Sequence, residues 1–153
     1  MLLKRNQHLP ITMNEAWEFF SNPKNLKTIT PQFMGFDITS DIGTERMYAG
    51  MIITYRVSPI LNISLKWMTE ITHLREPHFF VDNQKSGPFS IWHHQHWFKE
   101  VPNGIEMTDI VNYSVGFGLP GRMAEKLIIN RRVKEIFDFR YHKLEEIFGK
   151  YKA

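Results

Sequence analysis

The longest regular pattern in this sequence is an alternation of apolar and polar residues with a period of two, over residues 33–113. It is clearest from Ile63 to Ile71, where every second residue has a bulky or β-branched side chain. Successive side chains of a strand point to opposite faces of a sheet, so the pattern predicts β-strands. Short turns between them favour an antiparallel meander. The predicted strands are residues 34–40, 47–57, 63–72, 78–85, 89–101 and 105–114.

Helical patterns flank this region on both sides. Thr12 and Glu15 fit a capping box, which predicts a short helix over residues 13–21 after a first strand at residues 2–9. Pro23 can begin a second short helix. Beyond residue 121, apolar residues spaced by three and four predict one long helix to about residue 148. The order predicts an α+β fold: a curved antiparallel sheet of about seven strands wrapped around a long C-terminal helix, with two short helices after the first strand.

Composition narrows the class of protein. A length of 153 residues suits one domain, so we predict a single domain over residues 1–153. The absence of cysteine excludes a thiolate metal site, a disulfide and a cysteine nucleophile. A net charge of +3 without a dense basic stripe argues against a nucleic-acid partner, and no stretch approaches the ~20 apolar residues of a membrane span. We therefore expect a cytoplasmic protein.

Two short motifs match known sites but lack the context that those sites need. Residues 116–121 read GxGxxG between a strand and a helix, but no strand returns to complete the parallel βαβ unit of a dinucleotide site. His94 and His96, with Glu100 on the same strand face, resemble part of the cupin metal motif, but the flanking glycines are at the wrong spacing. We therefore predict no cofactor and no bound metal.

The alternation also predicts which side chains point into the interior. Keeping Lys85 in solvent puts Phe80 and Asp82 inside, and the apolar face of residues 105–113 takes Asp109 inward with it. On residues 91–100 we choose the face that carries both His94 and His96. The predicted interior set is Tyr55, Trp67, Phe80, Asp82, Trp92, His94, His96, Asp109 and Tyr113.

Three interpretations of the interior polar residues stay open. They could be structural, because buried carboxylates need hydrogen-bonding partners and the two histidines could supply them. They could orient the polar end of an apolar ligand. In an enzyme, Asp82, His94 and Asp109 could instead transfer protons. The aromatic residues likewise could form an ordinary core or line a cavity, and the segment from Trp92 to Trp97 could fill that cavity.

Several groups of residues together resemble a known family. They are PKNL at 23–26 with TP at 30–31, FVDNQ at 80–84 with GPF at 87–89, WHHQHWF at 92–98, MTD at 107–109 with Tyr113, and Ile136-Phe137 with Arg140. On these, nearly the whole chain resembles the START-like superfamily, which has the helix-grip fold of the Bet v 1 type and includes polyketide cyclase-like and coenzyme Q-binding-like proteins. It is most similar to the ligand-binding SRPBCC domain proteins of bacteria.

The resemblance implies a function as well as a fold. It implies that the interior set binds a small hydrophobic or aromatic molecule between the sheet and the C-terminal helix, without catalysis. It also implies an alternative, a cyclase or dehydratase in which a His-Asp pair moves protons on a polyketide-like substrate. Because one fold serves many chemistries, the resemblance identifies the architecture better than the reaction.

Overall fold

The fold consists of an antiparallel sheet, short helices after its first strand and one long helix at the end. The computed structural model describes residues 1–41, 43, 46–58, 63–114 and 128–152. In chain order the elements are β1 (Leu2–Leu9), α1 (Met13–Phe20), two 3-10 helices (Pro23–Lys27 and Gln32–Met34), β2 (Asp37–Ile38), β3 (Ile52–Val57), β4 (Leu65–Arg75), β5 (Phe79–Ser86), β6 (Ile91–Val101), β7 (Gly104–Ser114) and α2 (Asn130–Phe148). The predicted α+β order of elements is confirmed.

All of these strands belong to one seven-stranded sheet in the order β1-β7-β6-β5-β4-β3-β2. Strands β2 to β7 follow each other in chain order, which is the predicted meander. Strand β1 pairs antiparallel with β7 along its whole length, from Leu2 opposite Asn112 to Leu9 opposite Ile105. The first strand thus lies beside the last one.

Local sequence signals account for the helices after β1. The Thr12 amide donates to Glu15 Oε2 at 2.8 Å and the Glu15 amide donates to Thr12 Oγ1 at 3.2 Å, which confirms the capping box. Asn22 caps the next helix, since its Oδ1 accepts from the Lys24 amide at 3.1 Å. This second helix is a short 3-10 helix, as suits a segment that begins at Pro23.

Two predicted strands are shorter in the structure. Residues 34–40 contribute only Asp37–Ile38, because Met34 ends a 3-10 helix and Gly35 has a left-handed φ of 52°. Residues 47–57 contribute only Ile52–Val57, because the Met51 amide donates to the Tyr48 carbonyl at 3.1 Å and closes a turn. Over residues 34–40 burial alternates although most of the segment is not a strand.

Helix α2 packs against the sheet through one face. Its buried residues are Val133, Phe137, Arg140 and Leu144, spaced by three and four as predicted for a helix on a sheet. Gln7 of β1 donates from Nε2 to the carbonyl of Tyr141 at 2.9 Å, which ties the helix to the edge of the sheet. The GxGxxG motif and the predicted helix before residue 128 lie outside the described residues. Within the described residues, each helix is too short or too polar to cross a membrane.

Candidate functional site

A cavity of about 760 Å³ lies between strands β3–β6 and helix α2. Aromatic and aliphatic side chains make up most of its lining, with Tyr55, Trp67, Phe80 and Trp92 on the sheet side. Helix α2 contributes Val133, Ile136, Phe137 and Arg140. The volume lies within the range of roughly 300–1,000 Å³ typical of small-molecule sites.

The aromatic residues of β6 leave this cavity open. Trp92 faces inward and packs edge-to-face on Trp67, with ring centroids 5.1 Å apart. Trp97 lies on the opposite face of the strand, is 41% exposed and stacks on Phe79 at 4.5 Å. The segment from Trp92 to Trp97 therefore lines the cavity with one tryptophan and covers the outer face of the sheet with the other.

Pairing between β5, β6 and β7 places acidic and imidazole side chains side by side. Asp82 of β5 lies opposite His94 of β6, and His96 of β6 lies opposite Asp109 of β7. The choice of the face with both histidines as the inner face of β6 is thus confirmed, since both are buried. We call these four residues, together with Arg140, the polar cluster.

Each imidazole of the polar cluster lies between the two carboxylates. His94 Nε2 is 2.8 Å from Asp109 Oδ1, and its Nδ1 is 3.5 Å from Asp82 Oδ2. His96 Nε2 is 2.9 Å from Asp82 Oδ2, and its Nδ1 is 3.2 Å from Asp109 Oδ1. The two imidazole rings lie 3.7 Å apart between centroids. The four side chains form a closed ring of contacts.

Arg140 completes the polar cluster from α2. Its Nη1 lies 3.5 Å from Asp109 Oδ1, and the residue is only 6% exposed. Its guanidinium also lies over the rings of Phe20 and Phe137, 5.5 and 5.9 Å from their centroids. Arg140 is thus paired with an acid that lies beneath the cavity lining.

The environment of the cluster sets its charges. Burial raises the pKa of Asp109, but Arg140 and hydrogen bonds from both histidines outweigh it, so this pKa lies well below its usual range. Burial also opposes ionisation of Asp82, but the hydrogen bond with His96 and the nearby charges lower its pKa. Burial and the neighbouring His96 lower the pKa of His94, against the opposite effect of Asp109. Both carboxylates are ionised at neutral pH, and His94 is neutral.

These charges determine which nitrogen of the His94 imidazole carries the proton. An ionised carboxylate only accepts hydrogen bonds, so we assign the proton of neutral His94 to Nε2, which donates to Asp109. The lone pair then lies on Nδ1, on the side of Asp82. His94 and Asp82 both belong to the cavity lining. His94 can therefore accept a hydrogen bond or a proton there.

Most of the residues predicted for the site line the cavity. Those in its lining are Tyr55, Trp67, Phe80, Asp82, Trp92, His94 and His96. Asp109 and Tyr113 are buried behind the lining, where Asp109 contacts the two imidazoles and the Tyr113 hydroxyl donates to Asn130 Oδ1 at 2.8 Å. Glu100 is exposed and lies outside the cavity. Arg140 was absent from the predicted set, although its place on the apolar row of α2 was the signal that could have included it.

Comparisons with known proteins address the fold. The sequence matches no protein-family model and no curated protein. Among solved structures, a START superfamily protein from Mycobacterium smegmatis has a TM-score of 0.67 at 13% identity, covering 95% of this chain and 98% of that one.

Two further solved structures show the same likeness. Protein Ms6760 from Mycobacterium smegmatis has a TM-score of 0.70 at 16% identity, covering 95% of this chain and 89% of that one. Protein TTHA0849 from Thermus thermophilus has a TM-score of 0.73 at 13% identity, covering 95% of each chain. At these identities the likeness concerns the architecture. With its seven-stranded antiparallel sheet and C-terminal helix, the chain has the helix-grip fold of the START-like (SRPBCC) superfamily.

Proposed function

We propose that this chain binds a small, largely apolar molecule in the cavity between the sheet and α2. The observation that carries the proposal is an apolar cavity of about 760 Å³ with the polar cluster at one place in its wall. Apolar lining favours binding through burial, roughly 25 cal/mol for each Å² removed from water. A few polar groups in such a wall fix the orientation of the ligand.

The polar groups favour a ligand that carries a hydrogen-bond donor. The Asp82 side chain lines the cavity and is 17% exposed, and its ionised carboxylate only accepts hydrogen bonds. The Nδ1 lone pair of His94 is a second acceptor close by. A hydroxyl or N–H group at the polar end of the molecule would therefore donate to Asp82 or His94. Elsewhere in the wall, burial raises the pKa of Tyr55, so its phenol stays neutral and can also donate.

Native mass spectrometry of the purified protein tests this proposal, compared with its mass after denaturation. We expect an additional organic mass that leaves when the protein is denatured. If the protein is bare, it is titrated with N-phenyl-1-naphthylamine, an apolar fluorophore with one N–H donor. Saturable 1:1 binding supports the proposal, and the absence of both a retained molecule and saturable binding contradicts it.

Two tryptophans of β6 offer a matched pair of variants. Trp92→Ala should weaken binding of N-phenyl-1-naphthylamine several-fold, because an aromatic contact contributes about 0.5–1.5 kcal/mol beyond its buried area. Trp97→Ala should leave the affinity unchanged, because that side chain packs on Phe79 on the outer face. Fluorescence titration of both variants measures this. Equal affinities in the two variants would place the probe outside the cavity.

Proton transfer is the second candidate function, and the His94–Asp109 contact at 2.8 Å favours it. A neutral imidazole held by a buried carboxylate, with its lone pair toward a cavity, is an arrangement suited to a general base. A carbonyl substrate held at that lone pair would lose a proton from the adjacent carbon to His94 Nδ1. This matches the expected alternative, a cyclase- or dehydratase-type enzyme that uses a His-Asp pair.

Deuterium exchange separates the two candidate functions. The molecule that the protein releases on denaturation is incubated with the protein in D₂O, and its mass is measured again by mass spectrometry. An enzyme of this kind should change the mass of the molecule or exchange its acidic C–H for deuterium. His94→Gln should then lower the rate of this reaction or exchange by a larger factor than it lowers the affinity for the molecule. If the protein only binds, wild type and His94→Gln should both leave the molecule unchanged, and His94→Gln should only retain it less well.

The setting of this function rests on the sequence alone. We propose that residues 1–153 act as one domain in the cytoplasm, with a small hydrophobic molecule as the partner and no nucleic acid. Composition and charge support this setting, and it stays a prediction.

A further inference from the structure

Three side chains that can bind a metal ion converge on the cavity side of the polar cluster. Asp82, His94 and His96 each offer one ligand atom within 4.8 Å of the other two. Asp82 Oδ2 is 2.9 Å from His96 Nε2 and 3.5 Å from His94 Nδ1. Ligands bound at roughly 2.0–2.2 Å to one ion are themselves about 3–3.5 Å apart. The two distances from Asp82 Oδ2 to the imidazole nitrogens thus match the spacing of ligands on a single ion.

The hydrogen bonds of the cluster direct lone pairs to that point. The remaining nitrogens, His94 Nε2 and His96 Nδ1, lie 2.8 and 3.2 Å from Asp109 Oδ1. The proton of His94 on Nε2 leaves the lone pair of that ring on Nδ1, 3.5 Å from Asp82 Oδ2. His96 Nε2 hydrogen-bonds with Asp82 Oδ2 at 2.9 Å, and a metal ion would take the place of the proton in that bond. With the ion bound, two nitrogen lone pairs and a carboxylate oxygen face it.

Asp109 and Arg140 provide the surroundings that a metal site requires. Histidines that bind metals almost always donate their second ring N–H to a carboxylate or carbonyl, which fixes the ring. Asp109 serves both rings here and is itself held by Arg140 Nη1 at 3.5 Å. In the described part of the chain, Arg140 is the only Lys or Arg that forms a salt bridge with either carboxylate of the cluster. Leaving the histidines aside, two carboxylates face one guanidinium in the cluster.

We infer that the polar cluster binds one first-row divalent metal ion, such as Fe²⁺ or Zn²⁺, through Asp82 Oδ2, His94 Nδ1 and His96 Nε2. Imidazole and carboxylate ligands suit these ions, and the chain has no thiolate to offer. Asp109 is a positioning residue that orients both imidazoles. Three protein ligands leave at least one coordination position open toward the cavity. The site goes beyond the proposed binding of an apolar molecule, since the protein's own residues suffice to form it.

We infer a metal site where the sequence predicts no bound metal, and its third ligand is Asp82 in place of Glu100. The sequence places Glu100 on the same face of the strand as His94 and His96. The cupin-type metal motif that these three residues could form lacks flanking glycines at the required spacing. In the structure Glu100 pairs with Ile105 near the β6–β7 turn and is exposed. The carboxylate that meets the imidazoles comes from Asp82 on the neighbouring strand, so no spacing within β6 could have shown it.

Titration of the chelator-treated full chain with Co²⁺ tests the inference. We expect a 1:1 saturable change in visible absorption that Zn²⁺ abolishes by displacement, and a melting temperature that rises with metal concentration. Pulsed electron paramagnetic resonance of bound Cu²⁺ should show two coordinated imidazoles. A wild-type protein that gives no saturable Co²⁺ spectrum and takes up no Zn²⁺ at 1:1 would overturn the inference.

Conservative variants assign the ligands. Asp82→Asn, His94→Gln and His96→Gln should each abolish the Co²⁺ spectrum, and Asp109→Asn should weaken Co²⁺ binding by roughly 10–100-fold. The control is His93→Gln, because His93 lies on the same strand and contacts Asn83 instead, at 2.6 Å from Nδ1 to Oδ1. It should bind Co²⁺ like the wild type.

Folding and ligand binding are followed separately from metal binding. Circular dichroism shows whether each variant keeps its fold. Binding of N-phenyl-1-naphthylamine shows whether the cavity still takes up an apolar molecule, and we expect weaker binding where Asp82 or His94 is changed. If a ligand variant fails to fold, the count of two imidazoles on wild-type Cu²⁺ still decides the assignment. Binding that is lost in His93→Gln but kept in the three ligand variants would place the metal elsewhere and overturn the inference. Loss of metal binding with the apolar probe still bound leaves the proposed function intact.

Discussion

Arg140→Met should lower the free energy of unfolding by about 3–5 kcal/mol, the usual effect of removing one partner of a buried ion pair. The substitution leaves Asp109 ionised and buried without the guanidinium that lies 3.5 Å from its Oδ1. Methionine keeps an unbranched stem of similar reach, so contacts with the rings of Phe20 and Phe137 are partly retained. Denaturant unfolding followed by circular dichroism measures the change.

Two further variants show whether the uncompensated charge is the cause. Arg131→Met, on the same helix, should change stability much less, because Arg131 is 81% exposed and its pair with Glu135 is a surface pair. Arg140→Met combined with Asp109→Asn should regain part of the loss, because the buried negative charge is then absent. If the double variant loses as much free energy of unfolding as Arg140→Met and Asp109→Asn lose in sum, the effect of Arg140→Met comes from packing and not from charge.

The interior face of the sheet could be predicted because alternation along a strand is a local property. Keeping Lys85 in solvent was enough to place Asp82 inside, and an apolar face was enough to place Asp109. Pairing of neighbouring strands then brings Asp82 beside His94 and Asp109 beside His96. The sequence could predict the members of the site on the sheet for this reason.

The contribution of α2 to the cluster could not be predicted in the same way. Helical spacing put Arg140 on the buried row, but which carboxylate it meets depends on the rotation of the helix and the curvature of the sheet. These are set by contacts between residues far apart in sequence, such as Gln7 with the carbonyl of Tyr141. Alternation also fails to show where the interior ends along a strand. Glu100 has inward parity, yet it is exposed because β6 extends to its turn beyond the cavity.

Phe98→Ala should lower the free energy of unfolding by about 3–5 kcal/mol, as expected for removal of a fully packed aromatic side chain. Phe98 is 4% exposed and joins α1 to the inner face of the sheet. Its ring stacks on Phe20 at 5.3 Å and meets the edge of Trp17 at 6.3 Å. It also lies 6.3 Å from the ring of Phe80, which lines the cavity. The alanine would leave a void among these rings that the surrounding helix and strands cannot close fully.

The neighbouring Trp97→Ala is the matched control for this loss. It removes a larger ring from the adjacent position of β6, but on the outer face, where the contact is a stack with Phe79. We expect a loss of only about 0.5–1.5 kcal/mol from it, the contribution of one aromatic pair. Denaturant unfolding of both variants under the same conditions measures the difference. A larger loss from Trp97→Ala would contradict the assignment of Phe98 to the inner face of β6 and of Trp97 to the outer face. It would then also contradict the inward position of His94 and His96, which lie on the same face of the strand as Phe98.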